Sequence, residues 1–412
     1  MNTRQVNHNS PAARSGLLRN RDYALALLSY FFAFFSIAVF YLFPLYLDRF
    51  HPSKARVGLI MGIHSVAAIM VRPLFGRLLD RRGGRKVAIL GLLLMIITMP
   101  GFHLVQSAGV LAAMLRALNG IGWGIATTAI WALCSDLAPP ERMAHSLGII
   151  GVAGIVSGAI GPTAAEEVLR RYNFGAVMDL GLVMAAAALL CVIAIKKVPV
   201  RANPEKSESG ADFMKHSIAV LLVIASMPVI HGAVRGTVLN FIALFGTSVG
   251  FSRVSPFFMA FSAAAILTRL GIGDLSDRYG RKSVIFPSGV LICLNLFWIA
   301  GIRSYPSFVI SGFVAGFGQG LLFPALSAYL IDFLGRNNKG LALGLYMSLF
   351  DVGMGLGSPL FGWVSDLTGY RWMYTLASCL LLASTMVFTL KAPRLTEPVP
   401  GSASNSRGIM PE

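Results

Sequence analysis

The sequence predicts an all-α membrane protein of twelve transmembrane helices, arranged as two pseudo-symmetric six-helix bundles. Of its 412 residues, 55% are hydrophobic and only 13% are charged, whereas a soluble protein usually carries about 25% charged residues. Apolar segments of ~20 residues, the length that crosses a bilayer as a helix, fill nearly the whole chain. Short groups of residues in the first half also recur in the second half at a fixed spacing, which indicates an internal repeat.

The apolar segments form two sets of six. The first six predicted helices cover residues 23–47, 57–79, 87–106, 110–133, 144–165 and 175–195, and the last six cover 217–245, 255–273, 284–301, 308–333, 341–363 and 372–390. The polar stretch between the two sets contains prolines, glycines and charges, which are typical of a linker. We therefore expect a tail at 1–21, bundles at 22–195 and 217–391, a linker at 196–216 and a second tail at 392–412.

The positive charges are distributed unevenly between the two sides of the predicted membrane. Of the 35 Lys and Arg residues, 23 fall in the tails and in the loops after even-numbered helices, and eight fall in the other loops. Because cytosolic loops carry the excess of Lys and Arg, we expect a multi-pass protein of the inner or plasma membrane with both termini in the cytosol. The same bias explains the formal charge of +17 without a nucleic-acid partner.

The repeat is clearest in the loops that follow helices 2 and 8. A shift of 197 residues places Arg72, Gly76, Leu78, Asp80 and Arg81 on Arg269, Gly273, Leu275, Asp277 and Arg278. The first loop resembles the signature between helices 2 and 3 of the major facilitator superfamily, G-x-L-x-D-R-x-G-R-K, except that Gly84 stands where the family has a basic residue. The second loop matches this signature without a gap. The resemblance covers the whole chain and implies a transporter of that fold.

The resemblance also implies that these loops form a gate on the cytosolic side. The candidate gating residues are Gly76, Asp80, Arg81, Gly83, Arg85, Gly273, Asp277, Arg278, Gly280 and Arg281. The glycines permit tight turns, and a carboxylate can accept from the N–H groups at a helix N-terminus. Asp80 is thus expected to meet the start of helix 11 near Gly340, and Asp277 the start of helix 5 near Arg142. The alternative is that the loop charges only fix the topology.

Helix 4 contains an arginine within its apolar sequence. Arg116, Asn119 and Trp123 lie in a segment that resembles the R-x-x-x-G motif of helix 4, which is common in proton-coupled members of the superfamily. An intramembrane arginine normally faces a cavity and has a partner, so we expect Arg116 to act in proton coupling or substrate binding. Asn119 and Trp123 are candidates for the substrate cavity. The alternative for Arg116 is a side chain that extends to water at the membrane surface.

Helix 5 carries Gly161 and Pro162 in a segment that partly resembles the Gly-x-x-x-Gly-Pro motif typical of exporters, with Ser157 in place of the first glycine. Pro359 of helix 11 occupies the equivalent position in the second half. Small residues permit close helix contact and prolines bend helices, so Gly161, Pro162 and Pro359 are candidates for helix bending. Ordinary packing of small residues is the alternative, and it leaves the direction of transport open.

Asp351 is an acid predicted near the middle of the membrane in helix 11. Removal from water favours the protonated form of a carboxyl group, so Asp351 is the leading candidate for carrying a coupling proton. Glu166, near the outer end of helix 5, is a weaker one. The alternative for Asp351 is a structural ion pair with an arginine. Together with Arg72-Pro73 and the helix 4 motif, Asp351 resembles a subgroup of drug- and metallophore-efflux members.

Helix 7 carries His231 and Arg235, four residues apart on one face of the helix. With Arg116 they would give a central cavity a positive charge, which suits an anionic or zwitterionic substrate with a carboxylate. Tyr30 and Phe34 of helix 1 are candidates for the cavity wall. Packing within a bundle is the alternative for the histidine and for the aromatic residues.

Several classes of function lack their motifs in this sequence. There is no Walker phosphate loop, no zinc-ligand spacing and no nucleophile elbow. We therefore expect no enzyme, no cofactor and no metal, but a secondary transporter that works as a monomer in the lipid bilayer and exports a small organic molecule in exchange for protons. Proton-coupled uptake of an organic acid or a sugar is the alternative, and a non-transporting membrane receptor is a remote one.

Overall fold

The computed structural model describes residues 19–139, 143–196, 217–272, 275–335 and 338–393. These residues form helices, short turns and no strand. The first bundle contains α1 (Arg21–Asp48), α2 (Lys54–Arg82), α3 (Gly84–Thr98), α4 (Val110–Leu137), α5 (Met143–Arg171) and α6 (Phe174–Ala194). The second bundle contains α7 (Ile218–Ser248), α8 (Ser255–Gly271), α9 (Arg281–Gly301), α10 (Tyr305–Leu334), α11 (339–368) and α12 (370–391).

Twelve helices in two bundles are therefore confirmed for the described part of the chain. α11 and α12 run together as Lys339–Lys391 and are separated by Gly369, whose φ of 81° only glycine adopts readily. α8 is the shortest of the twelve apart from α3, with 17 residues. The chain enters α1 and leaves α12 on the same membrane face, which we call the terminal face. The opposite face is called the far face.

Several helices extend past their predicted ends. α5 continues beyond residue 165 to Arg171, and α11 continues beyond residue 363 to the break at Gly369. The added turn of α5 is charged and is held by bonds along its own surface, such as that from Arg171 Nε to Glu167 Oε1 at 2.7 Å. Apolar length alone could not predict these turns, because they lie beyond the hydrocarbon and are stabilised by pairs four residues apart.

The predicted tight turns occur in both signature loops. Gly83 ends α2 with a φ of 78°, and Gly280 precedes α9 with a φ of 87°. These values lie in the left-handed region that favours glycine. Each glycine reverses the chain at the terminal face, so the basic residues that follow it stand at the start of α3 or α9.

The two bundles approach each other most closely between α2 and α11. A Cβ atom built on Gly58 or Gly62 would overlap the backbone of Ser358 or Gly355 in α11, and one built on Gly362 would overlap the carbonyl group of Lys54. Only glycine permits this approach. These contacts lie in the half of the membrane next to the far face.

Near the terminal face, glycines of α2, α5 and α11 border open space. A Cβ atom built on Gly76 of α2, Gly148 of α5 or Gly344 of α11 would meet no heavy atom of the described residues within 4 Å. The bundles are therefore closed against each other at the far face and open toward the terminal face. Pro162 and Pro359 lie inside α5 and α11, as the sequence requires, and their bending role stays a prediction.

The two kinds of glycine in α11 should respond differently to a methyl group. Gly353→Ala would push a Cβ atom into the carbonyl oxygen of Val229 in α7, and such overpacking costs about 1–3 kcal/mol. Gly344→Ala enters open space and should be neutral or stabilising by up to ~1 kcal/mol, as alanine is the better helix former. Thermal unfolding of both variants in detergent measures the difference, and equal midpoints would contradict this packing.

Candidate functional site

An ion pair joins the two bundles within the membrane. Arg72 of α2 donates from Nη1 to Oδ2 of Asp351 in α11 at 2.5 Å. The two side chains keep only 25% and 19% of their surface exposed, so the pair is largely removed from water. The sequence left two alternatives for Asp351, a coupling acid or the structural partner of an arginine, and this contact is compatible with both. The structure brings the acid to Arg72 and leaves its role in coupling as a prediction.

A second charged group lies nearer the far face. The guanidinium of Arg116 stands 4.4 Å from the centre of the Phe40 ring, and that of Arg235 stands 4.0 Å from the Phe261 ring. Tyr41 of α1 interacts electrostatically with both arginines. Contact with an aromatic face stabilises a cation without neutralising it.

Arg116 is buried and does not extend to water. Its side chain is 3% exposed, and its Nε and Nη1 atoms lack hydrogen-bond partners among the described residues. No carboxylate of the described residues lies within ion-pair distance of Arg116 or Arg235. Because an unpaired charge inside a membrane protein is costly, this pair of arginines is a candidate position for an anionic group.

Asn119, a candidate for the substrate cavity, contacts a neighbouring helix of its own bundle. Its amide nitrogen donates to Thr98 Oγ1 of α3 at 3.3 Å, and the side chain is fully buried. The residue thus packs inside the first bundle between α3 and α4. Asn119 is three residues from Arg116 and shares one face of α4 with it. This spacing does not show which neighbouring helix that face contacts.

Each bundle contains an aromatic cluster among its candidate residues. In the first, Tyr30 contacts Phe34, Trp123 and Trp131 at ring-centre distances of 6.0, 6.5 and 5.9 Å. This cluster contains three of the residues that the sequence placed in the cavity wall. Trp131, about two helical turns beyond Trp123 in α4, was missed because nothing in its surroundings distinguishes it from a lipid-facing tryptophan.

The cluster of the second bundle is built on His231. The His231 Nε2 atom lies 2.7 Å from Gln319 Oε1 of α10, and Phe350 contacts the imidazole ring at 5.1 Å. Tyr346 and Phe323 complete the cluster. Gln319 was missed by sequence reasoning, although a glutamine among the glycines of α10 is a polar group within an apolar helix and so a detectable signal.

At the far face, two carboxylates bind helix N-termini across the boundary between the bundles. Glu166 of α5 accepts from the backbone N–H groups of Val254 and Ser255, with distances of 2.7 and 2.9 Å, at the start of α8. Asp366 of α11 accepts from the N–H groups of Lys54 and Ala55, with distances of 2.6 and 2.9 Å, at the start of α2. Each acid thus satisfies donors that have no partner within their own helix and lies at the positive end of that helix.

These two contacts, which we call the far-face caps, are related by the repeat. Glu166 and Asp366 are 200 residues apart, and so are the N–H groups that they bind. The signature loops are only 197 residues apart. Relative to the loops, the acid and the helix N-terminus that it binds are therefore both displaced by three residues, about one helical turn, between the two bundles. The sequence indicated Glu166 only as a weak coupling candidate and did not indicate Asp366. At the spacing of 197 residues that relates the loops, the two acids do not fall on each other.

At the terminal face, the basic residues of the signature loops hold the last helix of each bundle. Arg85 donates to the Ile193 carbonyl oxygen at the end of α6 at 2.6 Å. Lys282, its counterpart 197 residues later, donates to the carbonyl oxygens of Thr389 and Ala392 at the end of α12. Each of these bonds lies within one bundle and satisfies carbonyl groups at the end of a helix, so the gating role of Arg85 stays a prediction.

The second loop has an additional charge cluster. Arg281 pairs with Asp277 in its own loop and with Asp332 of α10 at 2.8 Å. The first bundle has Gly84 at the position of Arg281, and a Cβ atom there would already overlap Leu133. Close packing of α3 on α4 thus takes the place of the arginine.

The predicted latches between the bundles stay predictions. The side chain of Asp80, residue Gly273 and residues 140–142 before α5 lie outside the described residues. Arg81 and Arg278 are exposed on the terminal face. No group of three His, Cys, Asp or Glu side chains in the described part of the chain is placed to bind a metal ion.

Comparisons with known proteins agree on one family. The family model described as Major Facilitator Superfamily matches residues 24–270 and 245–411. The staphylopine export protein of Staphylococcus aureus is 23% identical over 354 residues, covering 82% of this chain and 87% of that protein. An uncharacterized MFS-type transporter of Escherichia coli is 26% identical over 369 residues, covering 85% and 86%.

Solved structures show the same fold. The nucleoside transporter NupG superimposes with a TM-score of 0.72 at 18% identity, covering 91% of this chain and 100% of that one. A bacterial homologue of the lysosomal transporter Spinster superimposes with a TM-score of 0.75 at 14% identity, covering 91% and 97%.

The far-face caps should control the distance between the bundles at that face. Glu166→Gln combined with Asp366→Asn keeps the side-chain shapes but replaces charged acceptors, so the far face should open in a larger fraction of molecules. Spin labels on the exposed residues Tyr172 and Arg303 measure this as a shift of the distance distribution to longer values. Glu167→Gln is the matched control, since Glu167 pairs within α5. An unchanged distribution in the double variant would contradict the assignment.

Proposed function

This chain belongs to the Major Facilitator Superfamily, and we propose that it exports a small organic molecule from the cytosol in exchange for protons. It is a membrane transporter of this family rather than an enzyme. In the family fold, a substrate binds near the middle of the membrane between the bundles, which then rock to expose it to either face. The finer proposal concerns the direction of transport, the coupling ion and the residues that act.

The observation that supports proton coupling is the ion pair between Arg72 and Asp351. It joins α2 of one bundle to α11 of the other, so its formation depends on their relative position. A proton on Asp351 would cancel the attraction and change the relative free energies of the two arrangements of the bundles. Protonation would thus stabilise one arrangement of the bundles relative to the other. A ligand shifts an equilibrium between two states only if it binds them with different affinity.

The far-face caps supply the gate that this cycle requires. In the arrangement described, Glu166 and Asp366 close the far face, while the glycines near the terminal face leave that side open. A substrate would therefore enter from the terminal face. We assign Glu166 to the gate, where its two carboxylate oxygens accept two N–H groups, and the positive charge of the terminal-face loops supports a cytosolic position for that face.

Export is supported by the contact between α1 and α5. Ser157 donates to the Phe31 carbonyl oxygen at 2.8 Å, and Gly161 lies against Ala38. This close contact is the mechanical property that the exporter-like segment implies, and the staphylopine export protein is a relative over most of its length. Arg116 and Arg235 give the route between the bundles a positive charge, which favours anionic or zwitterionic substrates.

Transport by everted membrane vesicles tests this proposal. With an imposed pH gradient and a panel of small organic anions and zwitterions, an exporter accumulates its substrate in everted vesicles, whereas a proton symporter for uptake does so in right-side-out vesicles. Asp351→Asn should abolish gradient-driven accumulation and keep substrate exchange without a gradient. Asp179→Asn, an exposed acid that contacts His103, is the control. Full gradient-driven transport by Asp351→Asn would disprove the coupling role.

A further inference from the structure

The repeat provides Arg72 with an acidic partner but leaves its counterpart without one among the described residues. Arg269 occupies in α8 the position of Arg72 in α2, 197 residues later. At that spacing the counterpart of Asp351 is Gly154, which lies against the ring and hydroxyl of Tyr30. The guanidinium of Arg269 reaches the backbone of α5 at Gly151, where a built Cβ atom would overlap its Nη1 atom. Neither glycine offers a carboxylate.

The charge of Arg269 is not neutralised by any described residue. No Asp or Glu side chain in the described ranges lies within ion-pair distance of it, and its Nε atom is buried without a hydrogen-bond partner. Its electrostatic partners are the phenol groups of Tyr30 and Tyr346. Phenols can donate hydrogen bonds to an anion that binds beside the arginine, but they carry no charge of their own.

Given that the protein carries a small organic molecule, as proposed above, we propose that Arg269 binds a carboxylate group of the substrate. The substrate would supply to the first bundle the carboxylate that Asp351 supplies to the second. A guanidinium binds a carboxylate through two parallel N–H bonds, and Tyr30 and Tyr346 lie close enough to Arg269 to interact electrostatically with it.

The surroundings of Arg269 define the rest of the substrate. Tyr30 belongs to the aromatic cluster of the first bundle, and Tyr346 to that of the second. A molecule bound at Arg269 therefore lies between two aromatic walls, which favour an apolar or aromatic body. Gly148, one turn from Gly151 toward the terminal face, borders open space, so the position can be reached from that side. Arg116, which is 3% exposed, is less accessible.

Tryptophan fluorescence can test this proposal without transport. Three of the five tryptophans, Trp298, Trp363 and Trp372, are 39%, 55% and 61% exposed, and their replacement by Phe leaves Trp123 and Trp131 beside Tyr30. The probes are 4-nitrobenzoate and its neutral amide, 4-nitrobenzamide, whose nitro groups quench tryptophan. The parent protein in detergent should bind the acid at least about tenfold more tightly than the amide, as expected for a charged hydrogen-bonded contact.

Two pairs of variants assign this preference to Arg269. Arg269→Gln should remove the preference for the acid and leave amide binding unchanged, and Arg269→Lys should keep part of it. Gly151→Asp should also remove the preference, because an internal carboxylate then occupies the arginine, whereas Gly151→Asn should not. Unchanged amide binding shows that each variant is folded.

The opposite results would overturn the proposal. These are equal binding or no binding of acid and amide in the parent, an unchanged preference in Arg269→Gln, or a preference that only Arg116→Gln or Arg235→Gln removes. Binding in detergent needs no proton gradient, so a failure of the export proposal would appear only in the vesicle experiment. Gradient-driven export together with an unchanged acid preference in Arg269→Gln would reject the carboxylate site alone.

Discussion

A polar group enclosed by a bilayer needs a partner within the protein, since no water is available to it. In this chain the decisive partners lie across the boundary between the bundles. Asp351 neutralises Arg72, and Glu166 and Asp366 satisfy the first N–H groups of α8 and α2. The ion pair lies within the membrane, whereas the two caps lie at helix ends beyond the predicted apolar segments. All three contacts join the two bundles, so their lengths depend on the relative position of the bundles.

The repeat organises these contacts and also shows where the two bundles differ. Arg85 and Lys282 bind the end of the last helix in each bundle, and the far-face caps form an equivalent pair. Such matched contacts serve the common architecture. The differences fall at charged positions: Gly84 stands at the position of Arg281, and no acid in the described part of the chain pairs with Arg269 as Asp351 pairs with Arg72. A symmetric framework with unsymmetric charges is what a transporter needs in order to bind one particular substrate.

The sequence predicted the architecture well because twelve apolar segments and two recurring loops are local signals. It also predicted the turns at Gly83 and Gly280, since each requires only a property of glycine. It could not predict which residues meet across the boundary. Asn119 turned toward α3, and Asp366 was overlooked, because such contacts depend on how far each helix is rotated and shifted along its axis. The far-face caps, for example, are related by 200 residues and the loops by 197, so the position of the caps could not be read from the spacing of the loops.

The balance between the two arrangements follows from the same physics. Four hydrogen bonds from backbone N–H groups to the side chains of Glu166 and Asp366 close the far face, and a hydrogen bond to a charged group is worth about 1.5–3 kcal/mol when its loss leaves the groups without a substitute. Asp366 is already exposed at the far face, and when this face opens water can also reach Glu166 and both helix N-termini, so the net cost of opening is far below the sum. A membrane potential of about 100 mV acts on one charge with about 2.3 kcal/mol. Contacts that water can replace keep the free energy of opening the gate within the range that one charge or one bound ligand can supply.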